Sequence, residues 1–299
     1  MSDTVNRRAP KMRDYTPERL LIEFSPAAWH PGYEATLAGQ AEHGAHVAKG
    51  LSPLIDVRYG PGPLQTMDIF PGPTPSAPAC IVFHGGLWHR SDKRFFLFSA
   101  EPLVAAGMAC FVVNFDHCPG IDLDGIVRQV RDAAAWVQRE GHKYQCDPSR
   151  IYLFGHATGA HLAATLLTCD WNAWPDFDPG ALSGSLLVSG LYDLRYFPQL
   201  PINEILKLTP EAAARCSPLL AALHVKAPMI IAAAAGETPE FIAQSRDMAD
   251  AAAKAGAAVK LQIVDGVGHF DILDTLSDLE SPLMRDFIAL VNRTGNSGQ

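Results

Sequence analysis

GHATGAH, residues 155–161, follows the apolar run Ile151-Tyr152-Leu153-Phe154 and leads into Leu162-Ala163-Ala164-Thr165-Leu166-Leu167. An apolar strand, a turn bracketed by glycines and a helical pattern together build a sharp elbow that presents one side chain at its tip. The pattern for such an elbow is G-x-S-x-G, and its centre here is Ala157 instead of serine. The surrounding chain has to say what an elbow without a hydroxyl is for.

Outward from the elbow, short apolar runs alternate with helical stretches. Strands are expected at 80–83, 110–114, 151–154, 186–189, 229–233 and 259–264, and helices near 93–106, 123–140, 158–168, 239–255 and 283–293. Ahead of them, 55–59 and 65–70 flank Gly60-Pro61-Gly62-Pro63 and read as an antiparallel hairpin. Wholly apolar strands separated by amphipathic helices predict a mostly parallel central sheet with helices on both faces, an α/β fold in one domain over residues 1–299. A helical segment at about 17–50 contains Tyr33 to Lys49, whose weakly apolar face suits lying across another surface. A Trp-, Pro- and Asp-rich excursion at about 170–218 has the length of a lid. Residues 1–16 and 294–299 are polar and are expected to fray.

With 48% hydrophobic residues in 299, the chain can bury a large core. Its formal charge of −8, from 24 basic and 32 acidic residues with no basic run, gives no footprint for nucleic acid or an anionic membrane. No apolar run approaches the roughly 18 residues of a membrane span, and the charged start is not followed by an apolar signal region, which points to the cytoplasm. Six scattered cysteines (80, 110, 118, 146, 169 and 216) without C-x-x-C spacing read as reduced thiols. No metal-ligand spacing such as H-x-x-x-H occurs, so neither metal nor other cofactor is expected. The expected partner is a small-molecule substrate, with self-association to form a homo-oligomer left open.

Acyl transfer needs a nucleophile, a base, an orienting acid and donors for the oxyanion. Ile81-Val82-Phe83 ends in His84-Gly85-Gly86-Leu87-Trp88, where glycines let backbone N–H groups turn towards a ligand. Gly86 and Leu87, with Thr158 after the elbow, are the candidate donors, and His84 is expected to brace their loop. The base is sought in a loop after the last strand, where Gly266-Val267-Gly268-His269-Phe270-Asp271 supplies His269. His156 and His161 flank the elbow and are expected to pack. The acid is sought after the preceding strand, where Glu237 is the first carboxylate beyond Met229–Ala235. It also suits a helix N-terminus. Asp193, one strand earlier, is its rival. Trp88 and Phe270, beside the donors and the base, are candidates for the wall of an aromatic pocket.

The segments so placed resemble the kynurenine formamidase (arylformamidase) branch of the α/β-hydrolases, from about Ser25 to Leu290. The likeness is carried by VRYGPGPLQTMDIF (57–70), HGGLWHRSDK (84–93), NFDHCPGI (114–121), DPSRIYLFGH (147–156), SGLYDLRYF (189–197), CSPL (216–219), GETPEFIAQSR (236–246) and GHFDI (268–272). The resemblance implies an α/β-hydrolase fold and cleavage of N-formyl aryl amides or small esters. By the same comparison Ala157 stands in the place of the serine of G-H-S-x-G, Glu237 and His269 complete the triad, and HGGLW forms the oxyanion loop.

The alanine has three readings. It marks a hydrolase whose serine has been replaced, a natural pseudohydrolase that binds a ligand or partner without catalysis, or an enzyme using Thr158 or a metal-bound water. The first agrees best with an otherwise intact set of accessory groups, because groups without a purpose drift.

Overall fold

The apolar runs become strands of a single sheet. In the computed structural model, which describes residues 11–30 and 32–295, these are β1 (Leu54–Arg58), β2 (Thr66–Phe70), β3 (Pro78–Phe83), β4 (Ala109–Val113), β5 (Asp147–His156), β6 (Leu182–Val188), β7 (Met229–Ala234) and β8 (Val259–Val264). Their order across the sheet is β1-β2-β4-β3-β5-β6-β7-β8. The β1–β2 pair is the expected hairpin, with Arg58 opposite Thr66, and β2 runs antiparallel to β4. The remaining pairings are parallel. The protein has the α/β-hydrolase fold.

Alternate residues of each inner strand serve opposite faces. Ile81, Phe83, Phe111, Val113 and Leu153 face one apolar cluster, whereas Cys80, Val82, Cys110, Val112, Tyr152 and Phe154 face the other. Burial on both faces explains why these strands read as unbroken apolar runs. The helix Leu123–Glu140 covers the first face with Ile126, Val130, Ala133, Ala134 and Val137, and Asp122 caps it by accepting from the Gly125 N–H at 2.8 Å. The helix Pro282–Gly295 covers the second with Leu283, Met284, Phe287, Leu290 and Val291. At about 1.5–3 kcal/mol per fully buried large apolar side chain, these layers supply the main drive for folding. All six cysteines are buried and unpaired.

Several expectations are revised. The stretch 93–106 is a 3-10 helix (Lys93–Ser99) followed by a short α-helix (Ala100–Ala105), because the consecutive Phe95-Phe96-Leu97-Phe98 cannot share one face of a single α-helix. The helix Tyr33–Leu51 lies against that 3-10 turn, and a Cβ on Gly44 would meet Arg94 O at 3.0 Å. The excursion at 170–218 is divided by β6, so only its second part crosses the sheet edge. Residues 11–16 are tied down: the Arg13 N–H donates to Tyr196 Oη at 2.6 Å, and Tyr15 Oη donates to Glu240 at 2.6 Å. At the other end, Thr294 closes the last helix against the Tyr152 hydroxyl. The remaining frayed-end expectations, 1–10 and 296–299, lie outside the described residues.

The elbow depends on two glycines. A Cβ at Gly155 would lie 2.3 Å from Gly159 O, and one at Gly159 would lie 2.0 Å from Phe83 O. The helix that begins at Thr158 therefore sits closer to β3 and β5 than any side chain allows. Gly159→Ala should cost about 3 kcal/mol of stability in urea unfolding, since backbone and not a flexible side chain must yield. Gly39→Ala, on an exposed helical face with nothing within 4 Å, should be stabilising by about 0.5–1 kcal/mol.

Candidate active site

At the tip of the elbow Ala157 has φ 53° and ψ −120°, a conformation that costs a non-glycine residue about 1–3 kcal/mol. It is held from both sides, with Ala157 N–H donating to Val188 O at 2.9 Å and His161 N–H donating to Ala157 O at 3.1 Å. The turn throws the alanine methyl out of the sheet into the cleft above its carboxyl edge.

His269 arrives in that cleft from the loop after β8. Its Nδ1 hydrogen-bonds Glu237 Oε1, while Glu237 Oε2 accepts from the Ala234 N–H at 3.0 Å, so the carboxylate is fixed at the end of β7. Both residues are buried. The rival Asp193 is bound instead to the Arg195 guanidinium, with an Nη2–Oδ2 distance of 2.6 Å. Phe241 packs edge-on against the His269 ring at 4.8 Å. His156 Nε2–H donates to the His269 carbonyl at 2.9 Å, so the residue before the elbow fixes the loop carrying His269. Burial and the neighbouring His269 hold His156 well below the ordinary imidazole range, which keeps it neutral.

Between β3 and the 3-10 helix the chain turns on Gly86 (φ 117°), Leu87 (53°), Trp88 (58°) and Ser91 (80°). A Cβ at Gly86 would meet Arg90 O at 2.1 Å, so glycine is required there. The Asn114 side chain, at the end of β4, clamps both ends of this loop. Its Oδ1 lies 2.9 Å from His84 Nε2 and accepts from the Lys93 N–H at 3.3 Å, and its Nδ2 donates to Asp92 at 2.8 Å. His84 also stacks on Phe115 at 4.4 Å, and burial pushes its pKa down to about 4. Among the described residues, no acceptor is bonded to the N–H of Gly86, Leu87 or Thr158. Loop and elbow thus bring those three groups to the sides of the Ala157 cleft.

Trp88 is not on the open side of the loop. It is 1% exposed, and its indole N–H donates to His161 Nδ1 at 3.1 Å while His161 Nε2–H donates to Cys216 O at 2.8 Å. It therefore anchors the loop to the elbow helix and lines neither cavity, contrary to the expected pocket role. Phe270 does border the cleft, stacked on Tyr33 at 5.1 Å.

Two cavities meet at Ala157 and His269. One, of about 320 Å³, is lined by Tyr33, Leu37, Arg90, Phe96 and Leu273 among others. The second, of about 420 Å³, is lined by Phe24, Leu87, Thr158, Phe197, Leu200 and Ile202 among others. Most of these residues lie outside the elbow and the loops of Glu237 and His269, on the N-terminal helices and the excursion after β6. No local pattern marks them as site residues. Only the length of the excursion hinted that it covers something.

Residues 67–174 match the BD-FAE family model. Over 291 residues the chain is 33% identical to a kynurenine formamidase of Danio rerio, covering 93% of this chain and 97% of the relative. The chain belongs to the kynurenine formamidase family. A kynurenine formamidase of Salmo salar is 32% identical over 299 residues, 95% of this chain and 99% of that one. Among solved structures, a protein assigned as a thioesterase from Silicibacter sp. TM1040 superposes with a TM-score of 0.80 at 24% identity, over 90% of this chain and 97% of that chain. That likeness is one of fold.

The buried imidazoles around the site make it acid-labile. Burial pushes His161 down to about 4, so between the unfolded value near 6.5 and that value the unfolded chain binds the extra proton and stability falls with pH. Replacing His161 with Gln, which keeps a donor for Cys216 O, should flatten the pH dependence of urea unfolding between pH 6.5 and 4 by about 1.4 kcal/mol per pH unit.

Proposed function

We propose that this chain is a serine-type acyl hydrolase of small aryl amides or esters in which the nucleophilic serine has been replaced by Ala157. The observation that carries this reading is the retained strain at 157. A binding protein would gain from glycine there, because glycine adopts positive φ without cost. This chain instead keeps a side chain in the strained conformation, beside the Glu237–His269 pair and in a cavity also lined by Gly86, Leu87 and Thr158.

In the active form a serine at 157 attacks the substrate carbonyl while His269 Nε2 takes its proton. Glu237 holds the Nδ1–H tautomer and stabilises the imidazolium. The N–H groups of Gly86, Leu87 and Thr158 carry the oxyanion. His269 then protonates the departing amine or alkoxide, and water, deprotonated by the same imidazole, releases the acyl group. The relatives named as kynurenine formamidases favour an N-formyl aryl amide among the substrates. Thr158 does not suit the nucleophile's part: it is the first residue of the elbow helix and its side chain is buried.

With alanine at 157 the chain can still hold a ligand. A natural pseudohydrolase that binds without turnover is the second reading, favoured by the alanine itself. Ala157→Ser decides between them. It should create turnover of a small aryl ester or N-formyl aryl amide with a burst of acyl-enzyme. In that background His269→Ala should lower kcat by about 10⁶-fold and Glu237→Ala by about 10⁴-fold, with Asp193→Ala affecting it less. No turnover and no burst across such a panel would leave the binding protein as the reading.

A further inference from the structure

We infer that the site accepts an ester or amide whose acyl group is an apolar chain larger than formyl, lodged in one of the two cavities that flank residue 157. The inference rests on the acyl-transfer reading and concerns which carbonyl compounds that site selects. A reacting carbonyl carbon must sit over the side chain at 157, its oxygen towards the backbone donors and its leaving atom within reach of His269. Because the carbon is trigonal, the acyl and leaving groups depart from it in different directions. The structure provides a space for each: both cavities share Gly86, Arg90, Ala157, His269 and Phe270, and then diverge.

The divergent walls are mostly apolar. One arm runs to Leu37, Phe96 and Leu273, and the other to Phe197, Leu200 and Ile202. A formyl group is about the size of a water molecule, whose share of liquid volume is roughly 30 Å³. A site built for formyl alone would be closed on the acyl side. Here the smaller cavity, shared mouth included, is about 320 Å³, roughly ten times the volume of a formyl group, which leaves space beyond the mouth on either side. Among the described residues, Arg90 is the only Lys, Arg, Asp or Glu lining either cavity, and it belongs to their shared mouth. The divergent walls therefore reward methylenes, at about fourfold in binding for each one buried.

The test uses the full chain carrying Ala157→Ser and the 4-nitrophenyl esters of acetate, butyrate, hexanoate and octanoate. The kcat/KM should rise at least tenfold from acetate to hexanoate, and a steady fall from acetate onward would overturn the inference. Leu37→Trp and Ile202→Trp each fill one arm, and one of the two should reverse the hexanoate-to-acetate preference. If neither changes that ratio, the arms do not select the acyl group. Should the serine variant hydrolyse none of these esters, it is the acyl-transfer reading that fails. The size of the arms is then read directly, by calorimetry on the unchanged chain with formanilide and hexananilide. Tighter binding of hexananilide supports the inference, and equal or weaker binding overturns it.

Discussion

The close approach of the elbow helix to the strands beside it is the constraint from which the rest of the site follows. Gly155 and Gly159 bring the backbone of Thr158–Leu167 against the carbonyls of β3, leaving no room for even one carbon. That contact fixes the direction in which the chain leaves β5, and the direction forces residue 157 to positive φ with its side chain outward. It also places the first turn of a helix, with its unbonded N–H groups, beside the glycine loop that ends β3. Strain at one residue is thus maintained by packing at two others, which is how a fold of otherwise ordinary geometry can hold a locally unfavourable conformation.

Around this elbow a set of neutral histidines does structural work that simpler residues could not. His84, His156 and His161 each present two ring nitrogens on a rigid plane, and each links a loop of the site to a neighbouring element. His161 accepts from Trp88 with one nitrogen and donates to Cys216 O with the other, a pairing that only one neutral tautomer satisfies. Burial keeps these rings uncharged, while His269 is bonded through Nδ1 to the Glu237 carboxylate.

The sheet and the chemical core were legible because their signals are local. Apolar runs of four to six residues, glycines at the elbow and a histidine after the last strand each report on their own neighbourhood. Chain order favours Glu237 over Asp193, and in the structure Glu237 is bonded to His269 whereas Asp193 is bonded to Arg195 two residues on. Trp88 could not be read correctly, since its position next to the donors says nothing about which side of the loop its ring takes. Positive φ at both Leu87 and Trp88 turns the indole inward to His161. The cavity walls were illegible for a different reason. Phe24, Tyr33, Leu37 and Ile202 look like any core residues until the tertiary fold brings them over the sheet edge.

The N-terminal helices also bear on how the molecule comes to be finished. Gln40 donates to the carbonyl of Phe270 at 3.1 Å, and the Glu23 carboxylate accepts from the N–H of Glu240 at 2.8 Å. The N-terminal segment is thus stitched to a loop and a helix more than 200 residues further along the chain. Contacts of such long range form late and slowly. The roof of the cleft can close only once the ribosome has delivered Glu240 and Phe270, so a nascent chain carries this surface uncovered until then.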